Sequence, residues 1–204
     1  IFVLTIHGLG GHAAMPHQAT DPVLASAAII QSLQSIVSRQ TNPVDSAVVS
    51  VTMVNGGSAF NVIPDEVQLG GTARAILPET RQMAEDNIRN IVTSLASAYG
   101  CEAEIDWRGG YPPTINHTAE ANRAAEIASD IVGSDKVHMD LPPSMAAEDF
   151  AFMLEARKGA YIWLGAGPAQ EGRMLHNTGY DFNDSILPVG TSYWVKLVES
   201  ELAS

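Results

Sequence analysis

An α/β fold in two layers, with strands and helices in the order βαββαβ, is predicted for the first half of this 204-residue sequence. Three observations predict it. Four segments alternate apolar and polar residues with the two-residue period of half-buried strands, two others carry apolar residues at helical spacing, and the two kinds interleave along the chain.

The first strand covers residues 1 to 7, with Phe2, Leu4 and Ile6 on one face and Ile1, Val3 and Thr5 on the other. The glycine-rich stretch GLGGHAAMPH follows. Asp21-Pro22 then signals a helix start, an N-cap oxygen in front of a residue whose missing N–H costs nothing in the first turn. Val23, Ala27, Ile30, Leu33 and Val37 carry the helical spacing forward until Asn42-Pro43 closes it. In the second strand, SAVVSVTMV, the residues Ala47, Val49, Val51 and Met53 share a face. VNGGSAFNVIPD reads as a long connection to the third strand, EVQLGGTARAI, with Val67, Leu69, Gly71, Ala73 and Ala75 inward. Pro78-Glu79 opens the second helix, whose buried stripe is Ala84, Ile88, Ile91, Leu95 and Tyr99, and Gly100 supplies a left-handed cap. The fourth strand turns Cys101, Ala103, Ile105 and Trp107 inward and Glu102, Glu104, Asp106 and Arg108 outward. Together these predict a ferredoxin-like sandwich, a four-stranded antiparallel sheet with helices on one face and a polar opposite face that includes Thr72, Arg74, Glu102 and Glu104.

After Arg108 the stretch GGYPPTINH marks a boundary, so residues 1–110 form one domain and 111–204 a second segment. The second segment predicts a helix from about Thr118 to Val132, a short strand near Val137, the loop LPPSMAAED, a helix on FAFMLEA, a strand on AYIWLGAG, the loop RMLHNTGYDFNDSILP, and a last helix ending at Ser204. It holds little sheet for a complete domain.

The net charge of −12, with no run of Lys or Arg, argues against nucleic acid and anionic membrane surfaces as partners. The longest apolar runs fall well short of the roughly 20 residues of a membrane span, and no leader pattern precedes them. One cysteine, Cys101, excludes an internal disulfide and any multi-cysteine metal site, and with the missing leader it points to a cytoplasmic location. The chain opens on Ile1 inside a strand pattern, as though cut from a longer polypeptide.

Several residues invite a functional reading, each with a plainer alternative. Gly8, Gly10 and Ala13 spell the dinucleotide fingerprint behind a strand, but a helix begun there would contain Pro16. His12 lies among Gly10, Gly11, Ala13 and Ala14, small neighbours that let an imidazole be presented to a substrate or partner; otherwise it is an incidental loop histidine. Asn61 precedes Val62-Ile63-Pro64, a rigid bend that aims its amide or merely uses it in a turn. Arg74 offers a guanidinium fork for a carboxylate, or a cross-strand ion pair with Glu102 or Glu104. His176 is a metal-ligand candidate or a hydrogen-bonded loop histidine, since zinc requires three or four ligands.

GGHAAMPHQATDPV, NGGSAFNVIPDEVQLGGTARA, MAAEDFAFM and LHNTGYDFND, in this order and spacing, resemble the zinc aminoacylase-like metallopeptidases, in particular the branch of hippurate hydrolases, N-acyl-amino-acid amidohydrolases and indole-acetyl-amino-acid hydrolases. The resemblance implies that residues 1–110 are a lid that also mediates homodimer formation and that the remainder is the C-terminal part of a catalytic domain. It implies that His12 reaches the neighbouring subunit's site and steadies the oxyanion, that Asn61 and Arg74 hold the substrate carboxylate, and that His176 is the last ligand of a centre of two divalent metal ions, zinc or manganese. It assigns no role to Glu148 or His17. The family's other ligands and its paired Glu do not occur in this sequence. The resemblance therefore implies a C-terminal fragment of a metal-dependent enzyme cleaving N-acyl amino acids, inactive by itself and holding no metal tightly. A dimerisation or binding module without chemistry is the alternative reading, and a dinucleotide-binding protein a remote third.

Overall fold

The computed structural model describes residues 1–167 and 174–202, and the chain divides into two compact units. The first comprises Ile1–Pro113 with Met145–Ala147. Its elements in order are β1 (Phe2–His7), β2 (Gly11–His12), α1 (Pro22–Ser35), β3 (Ala47–Gly56), β4 (Val62–Ile63), β5 (Glu66–Ala75), α2 (Pro78–Ala98) and β6 (Glu102–Trp107). The long strands form a sheet in the order β3-β5-β1-β6 in which every neighbouring pair is antiparallel. This is the βαββαβ sandwich anticipated from the pattern.

Apolar alternation decides which face is dry. Phe2, Leu4 and Ile6 of β1 and Leu69 of β5 are fully buried, against Ala25, Ile29 and Leu33 of α1 and Ile88 and Val92 of α2. Burying each of the larger of these side chains contributes about 1.5–3 kcal/mol. The helix starts follow from local chemistry. Asp21 Oδ1 accepts from the N–H groups of Val23 (2.8 Å) and Leu24 (3.1 Å), with Pro22 in the first turn. Gly100 ends α2 at φ 73°, a conformation a side chain would resist.

Four details of this unit correct the expectations. The buried residues of α1 are Pro22, Ala25, Ser26, Ile29 and Leu33, so of the anticipated stripe Leu33 is buried while Val23, Ala27 and Val37 are exposed. The buried line of α2 is Thr80, Ala84, Ile88, Val92 and Ala96, a fraction of a turn from the stripe anticipated; Ile91 and Leu95 flank it and Tyr99 is exposed. A residue spacing of four along a helix whose contact face is narrow selects one row rather than two. In β3 the register slips between Val51 and Met53, so Met53 pairs with Gly70 and lies on the face opposite Val49 and Val51. The bulge inserts one residue and inverts the alternation beyond it. Finally, the connection after β3 contains β4, which pairs with β2 in a small two-stranded sheet.

The second unit comprises Thr114–Ser144 and, among the described residues, those from Glu148 onward. Its helices are α3 (Thr118–Val132), α4 (Phe150–Ala156) and α5 (Leu187–Leu202). Residues 203 and 204 of the anticipated last helix, and residues 168–173, lie outside the described residues. Two anticipated strands do not form among the described residues. Val137 closes a 3-10 turn over Ser134–Lys136, and residues 160–167 form no strand. At Tyr161 the backbone N–H donates to Asn116 Oδ1 (2.7 Å) and the carbonyl accepts from Asn116 Nδ2 (2.8 Å), so a side-chain amide stands where a neighbouring strand would. An apolar run alone does not supply a ladder partner.

Candidate active site

The glycine-rich stretch is built for close backbone approach. The Gly8 N–H donates to the Asp65 carbonyl (2.7 Å) and the Gly10 N–H to Asp65 Oδ1 (2.9 Å), while Leu9 exchanges two backbone bonds with Thr20 (3.1 and 3.0 Å). A Cβ at Gly10 would stand 2.8 Å from the Ile63 carbonyl oxygen and 2.9 Å from Asp65 Oδ1, so only glycine lets the two segments meet this closely. Gly11 then pairs with Ile63 and His12 with Val62, and the Ala13 N–H donates to the Asn61 carbonyl (3.0 Å). This arrangement removes the basis of the dinucleotide reading. The glycine N–H groups that would face a pyrophosphate are spent on Asp65, and the chain continues into β2 and a 3-10 turn over Pro16–Gln18 rather than a helix.

His12 and Asn61 thus sit on one ribbon, both exposed. His12 Nδ1 accepts from the Ala14 N–H (3.1 Å). In a neutral imidazole that bond puts the ring proton on Nε2, leaving an outward-facing donor. His17 lies in the following 3-10 turn and is also exposed. Sequence periodicity misses the ribbon because two residues per strand are too few to show a period. The signal available is the coincidence of two glycines before His12 with the rigid Val-Ile-Pro after Asn61.

Arg74 stands toward the other end of β5, opposite Val48, half-buried, with Nη1 donating to the Met145 carbonyl (3.0 Å). The alternative ion pair with Glu102 or Glu104 does not form, because the register sets Glu102 opposite His7 and Glu104 opposite Thr5. Glu104 belongs to a different cluster, in which His7 approaches Glu66 (3.7 Å) and Glu104 (3.8 Å). Eight residues of strand separate Glu66, beside the ribbon, from Arg74, about 26 Å at the usual rise. The fold therefore brings His12 to Asn61 and leaves Arg74 at the opposite end of β5.

In the second unit, Glu148 accepts from the Tyr161 hydroxyl at Oε2 (2.9 Å) and from the Phe150 N–H at Oε1 (3.3 Å). The Tyr161 hydrogen bond above all, then that of Phe150, holds the Glu148 carboxyl below its ordinary range, and the same bond raises the Tyr161 hydroxyl. Glu148 thus secures the start of α4. His176 occupies an exposed turn at φ 68°, uncommon for a residue with a side chain. Among the described residues no three His, Cys, Asp or Glu are grouped to hold a metal ion. The ligands among the described residues do not by themselves fit a metal centre.

Residues 2–100 match the family model described as the peptidase dimerisation domain. The chain is 38% identical over 196 residues to the hippurate hydrolase of Campylobacter jejuni, covering 96% of this chain and 50% of that protein. It is 38% identical over 202 residues to the IAA-amino acid hydrolase ILR1-like 5 of Arabidopsis thaliana (96% and 46%) and 35% identical over 196 residues to an N-acetylcysteine deacetylase of Bacillus subtilis (96% and 50%). Among solved structures, a Bacillus subtilis protein described as a dinuclear metal binding peptidase from the M20 family superposes with a TM-score of 0.66 at 30% identity, over 96% of this chain and 48% of that one. A hydantoinase/carbamoylase family amidase from Burkholderia vietnamiensis shares the fold, with a TM-score of 0.77 at 20% identity over 98% and 46%. The chain spans about half the length of the curated relatives it matches.

Proposed function

The chain belongs to the M20 peptidase family, and from that premise we propose that it supplies the dimerising lid and part of the catalytic domain of an amidohydrolase that cleaves N-acyl amino acids. The observation that carries the reading is the ribbon on which His12, its Nε2 proton directed by the Ala14 N–H, stands beside Asn61. Amide hydrolysis develops negative charge on the carbonyl oxygen, and a preorganised donor such as Nε2–H is the group that stabilises it, worth about 3–4 kcal/mol. The names of the relatives, a hippurate hydrolase and an N-acetylcysteine deacetylase among them, support an acylated amino acid as substrate.

In this reading residues 1–110 are the lid and 111–204 the catalytic segment, and two copies pair through the lid. An N-acyl amino acid is much shorter than the ~26 Å of strand between the two ends of β5. Arg74 and the His12–Asn61 ribbon meet one substrate only if they come from different copies. Arg74 then acts on the carboxylate in its own subunit while the ribbon enters from the partner. A pair of divalent metal ions, zinc or manganese, belongs to the proposal for the complete enzyme, with His176 as one ligand. The donor role of His12 and the carboxylate-binding roles of Asn61 and Arg74 are those the family resemblance implies, and an imidazole N–H, an amide and a guanidinium are groups able to fill them. A cytoplasmic location is part of the same proposal.

The test is turnover of hippurate and N-acetylmethionine by the full-length enzyme and its His12→Ala variant, beside the 204-residue chain alone. The reading expects kcat to fall about 10²- to 10³-fold in the variant with metal content unchanged, and expects the chain alone to self-associate without turnover. A full-length protein that ignores both substrates, or a His12→Ala enzyme with wild-type kcat, refutes it.

A further inference from the structure

We propose that Asp65 is a positioning residue for His12, clamping the loop that carries the imidazole. The observation is a pair of bonds from one residue. Its carbonyl takes the Gly8 N–H (2.7 Å) and its Oδ1 takes the Gly10 N–H (2.9 Å), while the intervening Leu9 is tied on its other side to Thr20. Three successive residues are therefore held alternately from two directions, immediately before Gly11 and His12.

The ribbon needs such a clamp. Strands of two residues, Gly11–His12 against Val62–Ile63, are far too short to be stable alone. Glycines at 8, 10 and 11 leave the backbone leading to His12 with little stiffness of its own. A charge-assisted bond from a carboxylate is the stronger kind of anchor, and Pro64 restricts the backbone from which Asp65 is presented. Asp65 is itself exposed and takes no part in the apolar core, so its carboxylate serves the loop and not the sandwich. Loss of the clamp lets His12 drift relative to its own sheet, and misplacement by about 1 Å is enough to cost on the order of 100-fold in a preorganised site.

The inference rests on the reading of His12 as an oxyanion donor, and the experiment separates the two. Asp65→Ala removes the Oδ1 acceptor, and Asp65→Asn keeps an oxygen there. In the 204-residue chain, amide exchange at Gly10 and the ¹⁵N pattern of the His12 ring report the clamp without any activity. Asp65→Ala should speed Gly10 exchange at least about tenfold and replace the single Nε2–H pattern by a mixture of tautomers, with Asp65→Asn close to wild type. In the full-length enzyme Asp65→Ala should lower kcat about 10- to 100-fold at nearly constant KM, and Asp65→Asn should restore most of it. Unchanged Gly10 exchange and ring pattern in Asp65→Ala overturn the proposal, as does wild-type kcat in Asp65→Ala when His12→Ala is impaired. Loss of the clamp signals with full kcat in both His12→Ala and Asp65→Ala supports the clamp and sinks the catalytic reading of His12 instead.

Discussion

Pairing a His12→Ala subunit with an Arg74→Ala subunit distinguishes a shared site from a self-contained one, and the expected yield can be counted. The ribbon bearing His12 and Asn61 adjoins the Glu66 end of β5, and Arg74 lies eight residues further along it, opposite Val48. At about 3.3 Å per residue this is roughly 26 Å of strand, so each substrate draws Arg74 from one copy and His12 from the other. In a mixed dimer one site then receives both intact residues and the other receives neither. Random pairing of equal amounts makes about half the dimers mixed, which yields about a quarter of wild-type turnover. The parents should fall far lower, about 10²- to 10³-fold for the lost oxyanion donor and about 10- to 100-fold for the lost guanidinium bond, taken as 1.5–3 kcal/mol. The assay is hydrolysis of hippurate by co-expressed full-length subunits, with native mass spectrometry confirming the mixed dimers. If both residues came from one chain, mixed dimers would hold two singly damaged sites. Turnover no higher than the better parent, with mixed dimers present, would refute the reasoning.

Two further outcomes follow from local geometry. Asp21→Ala removes the acceptor of the Val23 and Leu24 N–H groups and should cost about 1–2 kcal/mol, read as a lower thermal midpoint of the chain. Glu148 is held below its ordinary range chiefly by the Tyr161 hydroxyl, so its contribution to stability is complete above the ordinary glutamate range and is lost as pH falls through the lowered folded value. A carboxyl ¹³C titration should find its midpoint on the acid side of free glutamate, and Tyr161→Phe should move it back toward the ordinary value; an unmoved midpoint would show that the hydroxyl is not the cause.

Much of the sandwich is legible in the sequence because its elements are long enough to repeat their periods. β1 and β6 alternate cleanly, Asp21-Pro22 and Pro78 mark helix starts, and α3 and α4 have the ends expected from their spacing. Met53 departs from its expected face because a bulge leaves no compositional mark, only a slip in register against β5. The stretch at residues 160–167 reads as a strand because apolar runs look alike until a partner is found. Among the candidate residues, His12, Asn61, Arg74 and His176 stand out by residue type and by resemblance, but no feature of the sequence joins His12 to Asn61 across almost fifty positions. Asp65 draws no notice, since its partners are backbone groups and backbone groups are not written in side-chain letters.

Local chemistry along the chain determined the order of strands and helices, the apolar face of β1, β5 and β6, the helix starts and the acidic character, because each depends on neighbours within a turn or a strand period. Tertiary structure alone decided the sheet order, the bulge, the β2–β4 ribbon and the placing of Arg74 at the far end of β5 from it. Those features depend on hydrogen bonds between segments remote in sequence, whose geometry exists only after the core beneath them has closed.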